Sequence, residues 1–204
     1  MTGLGFSPAA IAAARALAVR AGVRASAQFV CADVYEAAAA QGHARFDVVY
    51  VRLGALCWPP RLERWAAQAA ALVAPAGCLF MHDAHPLSWA LALDRLQIRR
   101  SYFQEAEPLV SESTFTYSDG LGAIAPVRNY QWNHGLGEIV TALLGQGLHL
   151  RRLEEHDWTT WPRFSWLEPR DPGRWAMPAG LPRVPLSFTL QAVRPASAAG
   201  GSNG

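Results

Sequence analysis

The chain has 204 residues, 51% of them hydrophobic and 17% charged, with a formal net charge of +2. That length supports one domain with a substantial core, and scattered arginines at so small a net charge exclude the basic stripe that nucleic-acid binding requires. No stretch of about 18 apolar residues reads as a membrane span and no basic-then-apolar leader opens the sequence, so no membrane partner and a cytoplasmic location are expected. Cys31, Cys57 and Cys78 stand far apart in apolar surroundings. That is the pattern of buried free thiols rather than of the close pairs of a zinc site, and no metal is expected.

The first residues, through Gly3, Gly5 and Phe6, read as the end of a buried strand turning into a helix, with no strand in front of it. Ser7 is a suitable N-cap and Pro8 a suitable first helical residue, and Ile11, Ala14, Leu17, Ala18 and Ala21 recur at helical spacing before Gly22. A short apolar strand over residues 27–33 ends in the carboxylate of Asp33 and leads into an alanine-rich stretch. The run Phe46-Asp47-Val48-Val49-Tyr50-Val51 is β-branched and aromatic without strict alternation, as expected for a parallel strand covered on both faces. Pro59 and Pro60 predict the start of a helix with Leu62, Trp65, Ala66, Ala69, Leu72 and Val73 on one face, ended by Pro75-Ala76-Gly77 ahead of a strand at Cys78-Leu79-Phe80-Met81.

Strand and helix alternating at this spacing predict an α/β fold, a mostly parallel sheet with helices on both faces. Ligands of such sheets bind beyond the carboxyl ends of the strands. Residues 87–133 are rich in Trp, Tyr, Phe, Ser and Gly with little periodicity, and are expected to cap the site. A helix is predicted over residues 136–144, strands over 149–154 and 186–193, and a disordered tail over 195–204, leaving a single domain over 1–194.

Three stretches carry a family resemblance: Gly3-x-x-Phe6-Ser7-Pro8-x-Ala10-Ile11, Phe29-Val30-x-x-Asp33-Val34-Tyr35, and Phe46-Asp47-Val48-Val49-Tyr50. So do Gly54 to Trp58, Trp65, Pro75-x-Gly77, His85-Pro86, Trp132-x-His134-x-Leu136-Gly137-Glu138-Ile139 and Pro185 to Leu190. In order and spacing the chain resembles the class I S-adenosylmethionine-dependent methyltransferases, in particular a bacterial branch acting on small molecules. The resemblance implies a Rossmann-like sheet whose last two strands pair antiparallel, S-adenosyl-L-methionine as cofactor and a small-molecule acceptor. It also implies that the family's first strand, with its Gly-x-Gly turn, has no counterpart before Met1 and lies upstream, so the cofactor site is incomplete in this chain. That missing strand is central in the family's sheet, between its second and fourth, and its loss would leave two unpaired apolar edges. The family's ribose-binding acid falls on Gly5, which cannot replace it.

By position, the resemblance places Gly3, Phe6, Ser7, Asp33, Val34, Val51 and Gly54 around the cofactor, Phe6 flanking the adenine and Asp33 accepting from its amino group. Each has a plainer alternative: Phe6 as a core residue, Asp33 as a helix cap. A general base, where the acceptor needs one, is sought in His85, His134 and Glu138; a tight His-Pro turn and a helix-terminal carboxylate explain the same residues. Tyr102, Tyr117, Tyr130 and Trp132 form either an aromatic lid over the acceptor or the cap's own small core. His82-Asp83-x-His85 is not a metal site, because alternation along a strand sends neighbouring side chains to opposite faces.

Two other readings stand beside this one. Gly3-x-Gly5-x-x-Pro8 with Asp33 imitates a nicotinamide-dinucleotide fingerprint, but lacks the preceding strand and the third glycine, and the acid falls beyond the spacing of about 20 residues. A methyltransferase-like remnant serving as a non-catalytic binding or assembly subunit would also account for the incomplete cofactor site.

Overall fold

The computed structural model describes residues 1–113 and 127–196. Tyr117, the end of the expected tail and the middle of the expected cap lie outside the described residues.

Thr2–Gly5 forms β1 and Pro8–Arg20 forms α1, capped by Ser7, whose hydroxyl accepts from the Ala10 N–H at 3.3 Å. β2 (Gln28–Cys31) pairs parallel with β1, Gly5 opposite Cys31. After a 3-10 turn at Val34–Glu36 and a short α2 (Ala37–Ala40), β3 runs over Phe46–Val51. α3 occupies Leu62–Leu72 and β4 occupies Val73–Ala84. The helix therefore starts two residues later than Pro60 predicts, because the backbones of both prolines are used elsewhere: Pro59 O accepts from His134 and Pro60 O from Gln104.

Within 86–133 the structure places α4 (Pro86–Ala90) and the antiparallel pair β5 (Leu109–Ser113) and β6 (Val127–Gln131). α5 (Leu136–Leu144), β7 (His149–His156) and the closing β11 (Ser187–Val193) fall close to their predicted positions. Between them lie three short strands that the sequence reading leaves unassigned, β8 (Trp158–Thr159), β9 (Glu168–Asp171) and β10 (Arg174–Ala176), which form their own antiparallel sheet. A small second core of Leu91, Phe164, Leu167 and Leu186 underlies them.

The main sheet has the order β3-β4-β11-β7, with β3 and β4 parallel and β11 antiparallel to both neighbours. The parallel pairing of β1 with β2 and of β3 with β4, with the closing strand β11 antiparallel, is the arrangement expected. β1 and β2 form a separate parallel pair, so the outer edges of β1 and β3 have no ladder partner among the described residues. One face of the main sheet is covered by the apolar stripes of α3 (Trp65, Ala66, Ala69) and α5 (Ile139, Ala142, Leu143), against Leu79, Met81, Phe188 and Leu190. The other face, along Phe80, His82, Thr189 and Gln191, is half-buried, and at the β3 edge Val48 and Tyr50 are 59% and 60% exposed. The expected covering of both faces by helices thus holds for one face of this sheet. No helix among the described residues is long and apolar enough to cross a membrane.

Candidate functional site

The carboxyl ends of β1, β2 and β3 are assembled by local hydrogen bonds. Ala32 N–H donates to Gly5 O at 3.1 Å, and the Cys31 thiol lies 3.7 Å from Phe6 O, so the ends of β1 and β2 are tied together. Phe6 follows directly and is 71% exposed, so it is not the core residue that its plainer reading suggests. Asp33 is exposed; one carboxylate oxygen accepts from the Tyr35 N–H at 2.8 Å and caps the 3-10 turn. Gly3 sits inside β1 opposite Phe29 rather than at the strand end, and a Cβ there would come within 3.1 Å of the Phe29 ring.

At the end of β3, buried Val51 leads into a turn held by a residue that the sequence reading used only to reject a metal. Asp83, on β4 and 4% exposed, accepts from Gly54 N–H at 2.6 Å and Ala84 N–H at 2.7 Å through one oxygen, and from Leu56 N–H at 3.4 Å through the other. Burial pushes its carboxyl up to about 6, against the opposing pull of these N–H groups. Gly54 takes φ +79°, a conformation that glycine adopts without Cβ strain. Beside it, burial and the Asp83 charge push the Cys57 thiol up to about 12, which makes it a packing residue and not a nucleophile.

The turn borders a cavity of ≈ 640 Å³ at the carboxyl ends of β3 and β4. Its walls include Arg52, Gly54 and Trp58 from the turn region, Ser88 and Trp89 from α4, and Thr159, Trp161, Arg163 and Phe164 from the segment after β7. Sequence reasoning missed this last group. Its signal was the aromatic density of Trp158, Trp161, Phe164 and Trp166.

Other predicted residues lie elsewhere. His85 Nδ1 accepts from Leu87 N–H at 3.1 Å, which puts the ring proton on Nε2, 2.8 Å from Glu155 Oε1. That approach is close but off the hydrogen-bond direction. Burial lowers the basicity of the ring, opposed by Glu155, and the His-Pro turn reading describes what His85 does. His134 Nε2 donates to Pro59 O at 2.8 Å, while Nδ1 stands 3.8 Å from Glu138 Oε1, so the pair is brought together without a direct hydrogen bond. Glu138 itself accepts from Gly135 N–H at 3.3 Å at the start of α5. His134 and Trp132 border a void of only ≈ 20 Å³, separated from the larger cavity by Ala84 and Trp89, which line both. The Tyr102 hydroxyl accepts from Leu136 N–H at 3.0 Å, and Tyr130 lies half-exposed on β6. Neither they nor Trp132 line the 640 Å³ cavity.

The sheet order, the antiparallel closing strand and a cavity at the strand carboxyl ends define the class I S-adenosylmethionine-dependent methyltransferase fold. Solved structures of that fold superpose on nearly the whole chain. An S-adenosylmethionine-dependent methyltransferase from Mesorhizobium loti matches with TM-score 0.60 at 19% identity, covering 95% of this chain and 79% of that one. The CcbJ methyltransferase from Streptomyces caelestis matches with TM-score 0.59 at 13% identity, covering 96% and 74%. The glycopeptide N-methyltransferase MtfA, solved with S-adenosyl-L-homocysteine, matches with TM-score 0.54 at 17% identity, covering 95% and 73%. No family model and no curated protein matches the sequence.

Proposed function

We propose that the protein binds S-adenosyl-L-methionine at the carboxyl ends of β1, β2 and β3 and transfers its methyl group to a small molecule held in the 640 Å³ cavity. The observation that carries this reading is the Asp83-held turn, which places Gly54 on the cavity wall at the end of β3. The residues fit two ends of the cofactor. Phe6 offers an unburied ring for the adenine, and the second oxygen of Asp33 is available to its amino group, with Ser7 and Val34 alongside. Arg52 to Gly54, after Val51, face the methyl-bearing end. The ribose is the poor fit: a Cβ at Gly5 would meet only Ile11 Cδ1, at 3.7 Å, so there is room for an acid and none is present.

Held by Phe6, Asp33 and the turn after Val51, the cofactor would supply a sulfonium-activated methyl group to an acceptor lone pair. Alignment of acceptor and cofactor carries most of such a rate, so the protein's part is to position and to exclude solvent. We assign no general base to His85 or His134, because their ring nitrogens serve the α4 turn and the Pro59 carbonyl.

Phe6→Ala tests the cofactor site. Loss of one aromatic stacking contact, about 0.5–1.5 kcal/mol, should weaken S-adenosylhomocysteine binding by about 3- to 10-fold in calorimetry. Thermal stability should hardly change, since the ring is exposed. An unchanged affinity would count against this placement. A second reading, that of a methyltransferase-like binding subunit, draws on the exposed Val48 and Tyr50 at the β3 edge. It predicts no cofactor binding by the folded chain.

A further inference from the structure

α4 is a short helix of five residues, Pro86–Ala90, and one side chain serves its start. Pro86 carries no N–H, and the N–H of Leu87 has no acceptor within the helix, so His85 Nδ1, 3.1 Å away, is the atom that satisfies it. The same turn puts Ser88 and Trp89 on the wall of the 640 Å³ cavity, and the Arg163 guanidinium rests 4.0 Å over the Trp89 ring. A shift at the start of α4 therefore moves two wall residues and the support of a third. An imidazole accepts at Nδ1 only while neutral, because the imidazolium carries a hydrogen on both nitrogens. His85 is 4% exposed; Glu155 of β7 faces its Nε2 at 2.8 Å, and the Phe188 ring of β11 lies 6.2 Å from it between centroids. Asp83 on β4, Cys57 from the turn after β3 and His134 ahead of α5 line the 20 Å³ void that Pro86 borders. Burial lowers the basicity of the His85 ring below its ordinary 6.5, and Glu155, half-exposed and screened by solvent, offsets this only in part.

From this geometry we propose that His85 is a positioning residue for the acceptor cavity, and that its protonation releases the start of α4 and with it the wall formed by Ser88 and Trp89. At neutral pH the ring is uncharged and the cap is made. As pH falls below 6.5 the imidazolium turns its Nδ1 hydrogen toward the Leu87 N–H, and a hydrogen bond becomes an encounter of two donors. The capped state holds this proton less tightly than the released state, so acid favours release. The word acceptor rests on the methyltransferase reading; the pH gate rests on the α4 corner alone.

The test is NMR of the full chain, labelled with nitrogen-15 and titrated from about pH 8 to about pH 5. At the upper end His85 should show Nδ1 without a proton and Nε2 with one. In acid both should be protonated, and the Leu87 amide and the Trp89 indole N–H should shift with that same midpoint. Amide exchange at Leu87, corrected for its intrinsic pH dependence, should speed up about tenfold on loss of one hydrogen bond. His85→Asn should abolish the coupled shift and keep Leu87 protected in acid, because asparagine caps as an acceptor at any pH. Asp83→Asn should leave the coupled shift in place, which separates His85 from the carboxyl that titrates at about 6. A His85 proton on Nδ1 at neutral pH, or a ring that stays neutral down to about pH 5, would overturn the proposal. So would a Trp89 signal that ignores the His85 titration, or one that keeps its pH dependence in His85→Asn. A folded chain that shows the coupled shift but binds no S-adenosylhomocysteine would support the gate and count against the methyltransferase reading.

Discussion

Asp83→Ala should be the most damaging substitution near the site, lowering stability by about 3 kcal/mol or more in urea unfolding at pH 7. The carboxylate serves the N–H groups of Gly54, Ala84 and Leu56 in a buried setting, and alanine leaves all three without it. Ligand affinity should fall with stability, because the turn carrying Gly54 forms the cavity wall. Asp83→Asn is the informative companion. Its remaining oxygen keeps the bonds from Gly54 and Ala84 and it escapes the penalty of a buried charge, so it should be much less damaging than Asp83→Ala at pH 7.

The two variants also separate in their pH dependence. The Asp83 carboxyl is raised from 3.8 to about 6 by burial, so the folded chain holds this proton more tightly than the unfolded chain. Its contribution is fully present below pH 3.8 and is lost as pH rises through about 6, on the order of 3 kcal/mol across that window. The wild type should show this fall and Asp83→Asn should not. Identical pH profiles would contradict the assignment.

Gly77→Ala should cost about 3 kcal/mol or more for a different reason. A Cβ there would lie 2.9 Å from both Ala74 O and Asp47 O and 3.1 Å from Phe46 O. All three are backbone atoms of β3 and β4 at the place where their register shifts, and none can swing away. The same corner is pinned from the far end of the chain, where Arg194 donates to Val73 O at 2.9 Å and Ala70 O at 2.6 Å. A midpoint shift in urea equivalent to less than 1 kcal/mol would show that this junction is looser than its geometry implies.

The elements legible in the sequence are those whose burial follows a simple period. The β-branched run of β3 and the stripe of Ile139, Ala142 and Leu143 on α5 announce themselves. β8, β9 and β10 do not, because strands of two to four residues such as Glu168–Asp171, exposed throughout, leave no alternation to read. The segments proposed for the cofactor stand out in the sequence by resemblance alone, as ordered motifs at strand ends. Asp83 was not, since its partners Gly54 and Leu56 are 29 and 27 residues away and only the fold makes a clamp of them. The sequence offered Tyr102, Tyr117, Tyr130 and Trp132 for the acceptor; the cavity proposed here to hold it is lined instead from the turn after β3, from α4 and from the segment after β7, where aromatic density alone does not say which cavity the rings face.

The measurement that bears most directly on the account is hydrogen exchange by mass spectrometry of the 204-residue chain with and without S-adenosylhomocysteine. The account predicts added protection confined to three segments far apart in sequence, at Phe6 and Ser7, at Asp33 to Tyr35, and at Arg52 to Leu56. Absence of protection in the folded chain, or protection only outside these strand ends, would contradict it.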